Sequence, residues 1–353
     1  MKLRLFSLIA AVSASILLAP AGSAQELPYQ IFERYLEPLA AQIGMPGLSA
    51  VIVRNNRIEW EKGYGYADVE NKIPATPDTL YPIGGVTQAM TAVLLGICTD
   101  RHLLDVDTAI RTWVPTFPEN ARVRHVLAHA SEGRFAYDPA RYAALTPVAE
   151  DCLKQPFRVA LADEILQRLA MTSSVPGLDI GQPGGQAARD LFDAARVARY
   201  RSQLTRLAKP YRIDRSGRAV LSEYPAYGMD AAGGMVSTAR DLANFESELD
   251  DNVNSVPISL STLDKMWTPL TLESGATTPT GLGWFVQNSS GVRLVWTFGH
   301  TPDAASALIL KMPSKRLTLV LLANSGGLAD TYQLEKGDIA NSPFVKIFLR
   351  LFI

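Results

Sequence analysis

Two adjacent glycines at the start of an apolar helix form the first candidate site for chemistry. Between residues 80 and 98 the apolar positions recur with helical spacing, at Met90, Val93, Leu94, Ile97 and Cys98. The residues between them are also mostly small or apolar, so we expect a helix that is buried on most sides. Gly84 and Gly85 lead into it. The first turn of a helix has free N–H groups and the positive end of the helix dipole, so this end favours an anion or an oxyanion.

The helix resembles the nucleophile helix of the serine β-lactamase and penicillin-binding-protein superfamily, in particular its class C β-lactamase and D-alanyl-D-alanine carboxypeptidase branch. There a Ser-x-x-Lys pattern places a serine at the helix start and a lysine one turn later. The serine attacks a carbonyl carbon, and a nearby base takes its proton. The resemblance puts Gly85 at the serine position and Gln88 at the lysine position. Glycine has no side chain for the attack, and glutamine is not a base.

Two further motifs of the superfamily are placed by the same resemblance. The Tyr-x-Asn or Tyr-x-Ser motif falls on residues 137–139, where Tyr137 keeps the phenol of a general base or proton relay and Pro139 replaces the amide side chain. The Lys-Thr-Gly or His-Thr-Gly motif falls on residues 300–302, where His300 and Thr301 match and Pro302 replaces glycine. Histidine titrates near neutrality, whereas proline has no N–H to offer a substrate.

The resemblance implies a cleft formed by Gly85, Tyr137 and His300. Tyr137 and His300 are the predicted catalytic residues, and Gln88 and Thr301 join Gly85, Tyr137 and His300 as predicted ligand-binding residues. Gly85 keeps its backbone N–H, so half of an oxyanion hole is expected to remain and to hold a carbonyl or carboxylate without attack. Two plainer interpretations stay open, in which Tyr137 is a half-buried loop residue and His300 a polar residue at a strand end.

Other reactive groups give weak signals. His125 and His129 are four residues apart, but no third ligand follows at a diagnostic spacing, so no metal is predicted. The Gly-x-Ser-x-Gly motif of α/β-hydrolases is absent. No cofactor is predicted.

Strand patterns occupy both ends of the chain and helical patterns the middle. An amphipathic helix is expected over residues 29–43, with Ile31, Tyr35, Leu36, Leu39 and Ile43 on its apolar face. Strands are expected at 47–53 and 58–65 around an Asn55-Asn56 hairpin turn, and again at 283–286, 292–298, 306–311 and 317–322.

These elements and the resemblance predict an α/β (α+β) fold of the β-lactamase/transpeptidase type, in which an antiparallel sheet flanked by helices joins a mostly helical lobe. The sheet lobe is expected at about 27–80 and 275–353, and the helical lobe at about 81–274. Residues 123–133 and 231–242 resemble further landmarks of the family. Ser237 or Thr238 is expected to cap the helix that follows the second landmark.

The chain has 353 residues and a net charge of −1, which gives no reason to expect a nucleic acid partner. Residues 1–24 are predicted to be a signal peptide, with basic Lys2 and Arg4, an apolar run over 5–18 and small residues before a cleavage point after Ala24. The alternative is a membrane anchor, but the run is shorter than the ~20 residues of a span. We therefore predict an exported protein with no stable membrane span after cleavage, and the bacterial character of the family that it resembles implies the periplasm.

Cys98 and Cys152 are the two cysteines. Export would allow them to pair. Cys98 lies on the apolar helix, however, where a free cysteine packs as a small hydrophobe. We therefore expect the pair to be unlinked, and a disulfide stays open as the alternative.

The predicted function is that of a catalytically inactive serine-hydrolase homologue that binds a peptidoglycan-like or acyl ligand in its cleft. The predicted partner is a small molecule or a cell-wall peptide. One alternative is a hydrolase of β-lactams, D-alanyl peptides or esters that uses non-standard residues such as Tyr137 or His300. Another is an interaction or scaffold protein.

Overall fold

A computed structural model of the chain describes residues 26–225, 228–251 and 257–353. The predicted signal peptide, residues 1–24, lies outside the described residues. Within them, no helix combines the length and the apolar character needed to cross a membrane.

Helices and strands of the described residues are numbered in chain order. The helices are α1 (Glu26–Ile43), α2 (Val86–Asp100), α3 (Val123–Leu127), α4 (Pro139–Tyr142), α5 (Leu145–Leu153), α6 (Phe157–Leu161), α7 (Gln186–Arg189), α8 (Ala194–Leu204), α9 (Ala239–Asp251), α10 (Leu260–Met266) and α11 (Pro343–Phe352). The strands are β1 (Gly47–Arg54), β2 (Arg57–Asp68), β3 (Ile73–Pro74), β4 (Tyr81–Pro82), β5 (Tyr211–Ile213), β6 (Ala219–Leu221), β7 (Val236–Ser237), β8 (Phe285–Ser289), β9 (Val292–Thr301), β10 (Ala305–Met312) and β11 (Leu317–Ala323).

One antiparallel sheet brings both ends of the chain together in the order β3-β2-β1-β11-β10-β9-β8. The first and last strands are neighbours at its centre, with Leu48 opposite Ala323. The hairpin between β1 and β2 turns through Asn55 and Asn56, whose φ angles of 49° and 62° suit asparagine. The predicted sheet is confirmed, with most strands longer than expected and with the short β3 added at one edge.

Alternate residues of the central strands enter two separate cores, because side chains of a strand point to opposite faces. Val51 and Val53 pack with α2 and the helical lobe. Ala50 and Ile52 pack with the apolar faces of α1 and α11. The predicted apolar face of α1 was partly wrong: Phe32, Leu36 and Ala40 are its buried residues, and Tyr35 is 57% exposed. The correct face meets α11, a contact that the periodicity of α1 alone does not show.

Helix α2 lies at the centre of the larger core. Every residue from Val86 to Cys98 is buried, as predicted. Thr238 caps α9 through a hydrogen bond of 3.1 Å from the Asp241 N–H to its Oγ1, which confirms one of the two predicted caps.

The expectation that the cysteines are unlinked was wrong. Cys98 of α2 and Cys152 of α5 form a disulfide, with their Cα atoms 6.3 Å apart. That separation is within the usual range for a disulfide. Packing of α5 against α2 brings the two residues together across 54 positions of sequence, so burial of Cys98 and its pairing are compatible.

Candidate functional site

A cavity of about 970 Å³ opens where α2, β9 and loops of the helical lobe meet. Three of the predicted site residues, Gly85, Tyr137 and His300, line it. The remaining lining is mostly small or apolar, with two acidic residues: Gly84, Pro139, Ala140, Ala143, Gly228, Met229, Asp230, Ala232, Gly233, Phe298, Pro302 and Glu335.

Gly85 is the residue at the N-terminal end of α2, with φ −64° and ψ −10°. A Cβ atom built on it would lie 2.6 Å from the Tyr137 hydroxyl oxygen and 2.8 Å from the carbonyl oxygen of Phe298. Both distances are shorter than a van der Waals contact, and the second involves backbone. The space in which a side chain at position 85 would begin is therefore taken by a phenol and a strand carbonyl.

Gln88 lies one turn further along α2, beneath the cavity and almost fully buried. Its Nε2 donates to the Tyr137 hydroxyl at 3.4 Å, and its Oε1 is 3.0 Å from Nε2 of His129. The Asp138 N–H donates to Nδ1 of His129 at 3.2 Å. Since Nδ1 accepts this bond, the proton of the neutral ring is on Nε2, which donates to Gln88. The four residues form one continuous hydrogen-bond network, here called the cleft network.

The side chains of Gln88, His129 and Tyr137 in the cleft network are uncharged at neutral pH. Burial lowers the pKa of His129 to about 4, so its ring is neutral. Burial also raises the pKa of Tyr137 well above its usual value, with the Glu335 carboxylate adding to the rise. Tyr137 packs between the rings of His129 and Phe298, with centroid distances of 4.5 Å and 5.2 Å. A phenol in this setting keeps its proton and is a poor general base.

The side chains of His300 and Thr301, at the end of β9, lie on opposite faces of the strand. His300 is exposed on the cavity wall, and its Nε2 lies 2.6 Å from Oδ1 of Asp330. Thr301 points away from solvent, is 1% exposed, and has a hydroxyl without a hydrogen-bond partner among the described residues. Of the predicted ligand-binding residues, Gln88 and Thr301 are therefore not part of the cavity lining.

His125 is buried and does not line the cavity. Its Nδ1 accepts the Arg122 N–H at 3.1 Å, and its Nε2 lies 3.2 Å from Glu273. Within the described ranges, no three His, Cys, Asp or Glu side chains are grouped so as to hold a metal ion.

Sequence reasoning missed four residues of the site. His129 drew attention only as a metal ligand, although its place in an apolar landmark was a signal that it is buried. Asp230 and Asp330 lie in turns between longer elements, Glu335 lies in a short 3₁₀ helix, and Asp230 directly precedes the landmark at 231–242. These short segments carry no periodic pattern, so the sequence offers no signal that Asp230 and Glu335 line one cavity or that Asp330 contacts His300.

Comparisons with known proteins identify the family of this chain. The family model described as Beta-lactamase matches residues 32–341. The chain belongs to the beta-lactamase family. Human "Serine beta-lactamase-like protein LACTB, mitochondrial" is 33% identical over 84 residues, which are 24% of this chain and 15% of that protein. "Protein flp" of Staphylococcus aureus (strain NCTC 8325 / PS 47) is 37% identical over 76 residues, or 22% and 15% of the two chains. The aligned stretch thus spans about 15% of the length of each curated relative.

Solved structures share the fold over nearly the whole chain. The octameric penicillin-binding protein homologue from Pyrococcus abyssi superposes with a TM-score of 0.72 at 22% identity, covering 91% of this chain and 77% of that one. D-amino acid amidase from Ochrobactrum anthropi SV3, complexed with L-phenylalanine amide, gives 0.69 at 20% identity, covering 92% and 98%. The mixed α/β architecture is therefore that of the beta-lactamase and transpeptidase fold.

Proposed function

We propose that this chain is an exported, catalytically inactive member of the beta-lactamase family that binds a small acyl or peptide ligand in its cleft. One observation carries the proposal. At position 85, where the family resemblance expects a serine, the Tyr137 hydroxyl and the Phe298 carbonyl occupy the space of a side chain. A nucleophile there would need both groups to move, and the second belongs to the backbone of β9.

The cleft network supports the same proposal. Gln88 stands at the position expected for lysine and is bound on one side to His129 and on the other to Tyr137. Serine activation needs a group that accepts a proton near neutral pH. A glutamine amide cannot accept one, and a buried phenol with a raised pKa does not become a phenolate at that pH. The cavity nevertheless keeps its volume, which is within the range of small-molecule sites.

Export is supported by the link between Cys98 and Cys152. Disulfides persist in oxidising compartments such as the periplasm and are rare in the cytosol. The predicted signal peptide gives the same localisation. A small ligand is supported by the D-amino acid amidase structure, whose fold this chain shares and which is complexed with L-phenylalanine amide.

A second candidate function rests on His300 and Asp330. A histidine held by a carboxylate at 2.6 Å on a cavity wall resembles the oriented base of hydrolytic sites. In this alternative, water activated by His300 would attack an ester or amide directly, with no covalent intermediate.

Intact-mass spectrometry and turnover assays test the proposal. We expect no acyl adduct after incubation with a penicillin, and no hydrolysis of nitrocefin or p-nitrophenyl acetate above the buffer rate. An adduct on the native chain would contradict catalytic inactivity. Turnover that His300→Ala abolishes would instead favour the second candidate function.

Restored variants show whether the space around position 85 explains the inactivity. Gly85→Ser with Gln88→Lys supplies the reactive pair but leaves the Tyr137 hydroxyl 2.6 Å from the new Cβ position. We therefore expect this double variant to acylate more slowly than the triple variant that also carries Tyr137→Phe. Equal rates in the two variants would show that the phenol does not obstruct a serine.

A further inference from the structure

We propose that the cleft selects a ligand that carries a positive charge, such as an amine, on an apolar or aromatic body, and that it rejects carboxylates. This inference rests on the proposed function, because it names the chemical class of the ligand that the cleft binds. The predicted peptidoglycan-like or acyl ligand would then be recognised through an amine and not through an acidic end.

The charges on the cavity wall have one sign. Asp230 and Glu335 line the cavity, and no lysine or arginine of the described residues does so. Neither Asp230 nor Glu335 forms a salt bridge with any of the described residues. The one histidine among the described lining residues, His300, is paired with a carboxylate, because its Nε2 lies 2.6 Å from Oδ1 of Asp330. The lining side chains therefore carry net negative charge, which disfavours an anionic ligand and attracts a cation, and they oppose the partial positive charge of the N-terminal end of α2 at Gly85.

Arg158, the cation close to the Asp230 turn, pairs with another carboxylate and not with Asp230. Arg158 lies behind the segment 228–233, where its Nε donates to the Met229 carbonyl at 3.3 Å. Its guanidinium pairs with Asp179 at 2.8 Å. Asp230 itself accepts the Ala232 N–H at 2.8 Å and donates its own N–H to the Gly233 carbonyl at 3.0 Å. These bonds shape the turn that presents the carboxylate, and among the described residues they leave its negative charge without a protein counterion.

The Glu335 carboxylate influences Tyr137, which lines the same cavity. This carboxylate contributes to the raised pKa of Tyr137, so its charge is felt at the hydroxyl beside Gly85. Around these charges the wall is apolar, with Met229, Ala143 and the ring of Phe298. Aromatic faces attract organic cations, and small apolar residues leave room for an alkyl or aryl body.

Three probes with the same body and different charges test the inference. They are 4-phenylbutylamine, which is a cation at pH 7, the neutral 4-phenylbutan-1-ol, and the anion 4-phenylbutanoate. Binding is measured by calorimetry and by NMR titration at low salt. We expect the amine to bind tightest and the carboxylate weakest. Added salt should weaken the binding of the amine and leave that of the alcohol unchanged.

Matched variants locate the charge that is recognised. Glu335→Gln and Asp230→Asn should each weaken amine binding by about 3- to 5-fold and leave alcohol binding unchanged. Glu119→Gln is the control, because Glu119 is exposed, carries the same charge and is not part of the cavity lining. This control should bind all three probes as the native chain does.

The outcomes separate this inference from the proposed function. Equal binding of the three probes, or tighter binding of the carboxylate, overturns the inference and leaves a ligand-binding cleft in place. An amine preference that persists when Asp230→Asn and Glu335→Gln are combined also overturns it. Failure of all three probes to bind overturns the inference and the ligand-binding proposal together.

Discussion

Positions 88 and 311 are both buried, yet one holds a neutral amide and the other a charged lysine. Gln88 belongs to the cleft network with His129 and Tyr137. Lys311 on β10 is fully buried, and its Nζ lies 3.0 Å from Glu246 Oε2, 2.9 Å from Asp250 Oδ1 and 2.9 Å from the Glu246 carbonyl oxygen. Burial alone would lower the pKa of Lys311, but the two carboxylates outweigh it and raise that pKa.

The difference shows what each region needs in order to bury polar groups. A buried charge is tolerated only with close partners of opposite sign. Lys311 has two, and the ring of Trp267 lies 4.9 Å from its Nζ. The described residues that touch Gln88 are uncharged, so a lysine at position 88 would lack a carboxylate partner at that point. The chain thus keeps a buried charge in its framework and a neutral network at its cleft.

Removing the buried positive charge of Lys311 should cause the largest loss of stability. Lys311→Met leaves Glu246 and Asp250 buried beside each other without a cation, and we expect the free energy of unfolding to fall by about 3–5 kcal/mol. Urea denaturation followed by circular dichroism measures it. Lys346→Met, which removes an exposed lysine from α11, should change stability by less than ~0.5 kcal/mol.

A small loss in Lys311→Met, below ~1 kcal/mol, would contradict the view that the carboxylates depend on this lysine. A second variant checks the cause. Adding Glu246→Gln and Asp250→Asn to Lys311→Met removes the unpaired charges, so it should recover part of the lost stability.

The neutral state of the cleft network predicts a specific pH dependence. The pKa of His129 is about 4 in the folded chain, below the ordinary 6.5. As pH falls from 6.5 to 4, the unfolded chain gains a proton on His129 that the folded chain does not, so stability falls with pH in that window. The loss amounts to about 3 kcal/mol between about pH 7 and about pH 4.

The variant His129→Gln isolates this contribution, because glutamine does not titrate and can still bond to Gln88. Carboxylates titrate in both proteins, so only the difference between the two stability curves reports His129. We expect the native curve to fall more steeply than the variant curve as the pH drops below the ordinary pKa of histidine. Parallel curves would mean that His129 is not buried in its neutral form.

Local patterns predicted the framework well and its tertiary details less well. The hairpin at Asn55-Asn56 and the buried helix α2 follow from turn chemistry and apolar periodicity. The outward position of Tyr35 and the link between Cys98 and Cys152 depend on which surfaces α11 and α5 cover. A single sequence does not report those contacts.

Site residues that belong to a family motif were predicted, whereas site residues that only tertiary packing brings to the cavity were missed. Gly85, Tyr137 and His300 reach one cavity, in line with the order of the family motifs. Thr301 follows the same motif, but alternation along β9 turns it away from the cavity that His300 lines. Asp230 and Glu335 were not predicted, because a turn and a short 3₁₀ helix that are distant in the sequence meet there only after folding.

The smallest expected loss of stability comes from adding a side chain at Gly85. It tests whether the Tyr137 hydroxyl and the Phe298 carbonyl leave room for a Cβ atom at this position. Gly85→Ala adds one carbon 2.6 Å from the Tyr137 hydroxyl and 2.8 Å from the Phe298 carbonyl, so we expect a loss of about 1–3 kcal/mol in unfolding free energy. The φ of −64° suits alanine, so the cost comes from these contacts and not from the backbone. Gly184→Ala is the matched control, because a Cβ there meets nothing within 4 Å.

A double-mutant cycle with Tyr137→Phe assigns that cost. Removing the hydroxyl relieves one of the two close contacts of the added methyl group, so Gly85→Ala should cost less in the Tyr137→Phe background than in the native chain. The Phe298 carbonyl remains, so part of the cost should persist. An unchanged cost would place the obstruction on β9 alone, and no cost in either background would show that position 85 still has room for a side chain. In that last case the uncharged amide at position 88 would remain as the difference between this cleft and the charged framework around Lys311.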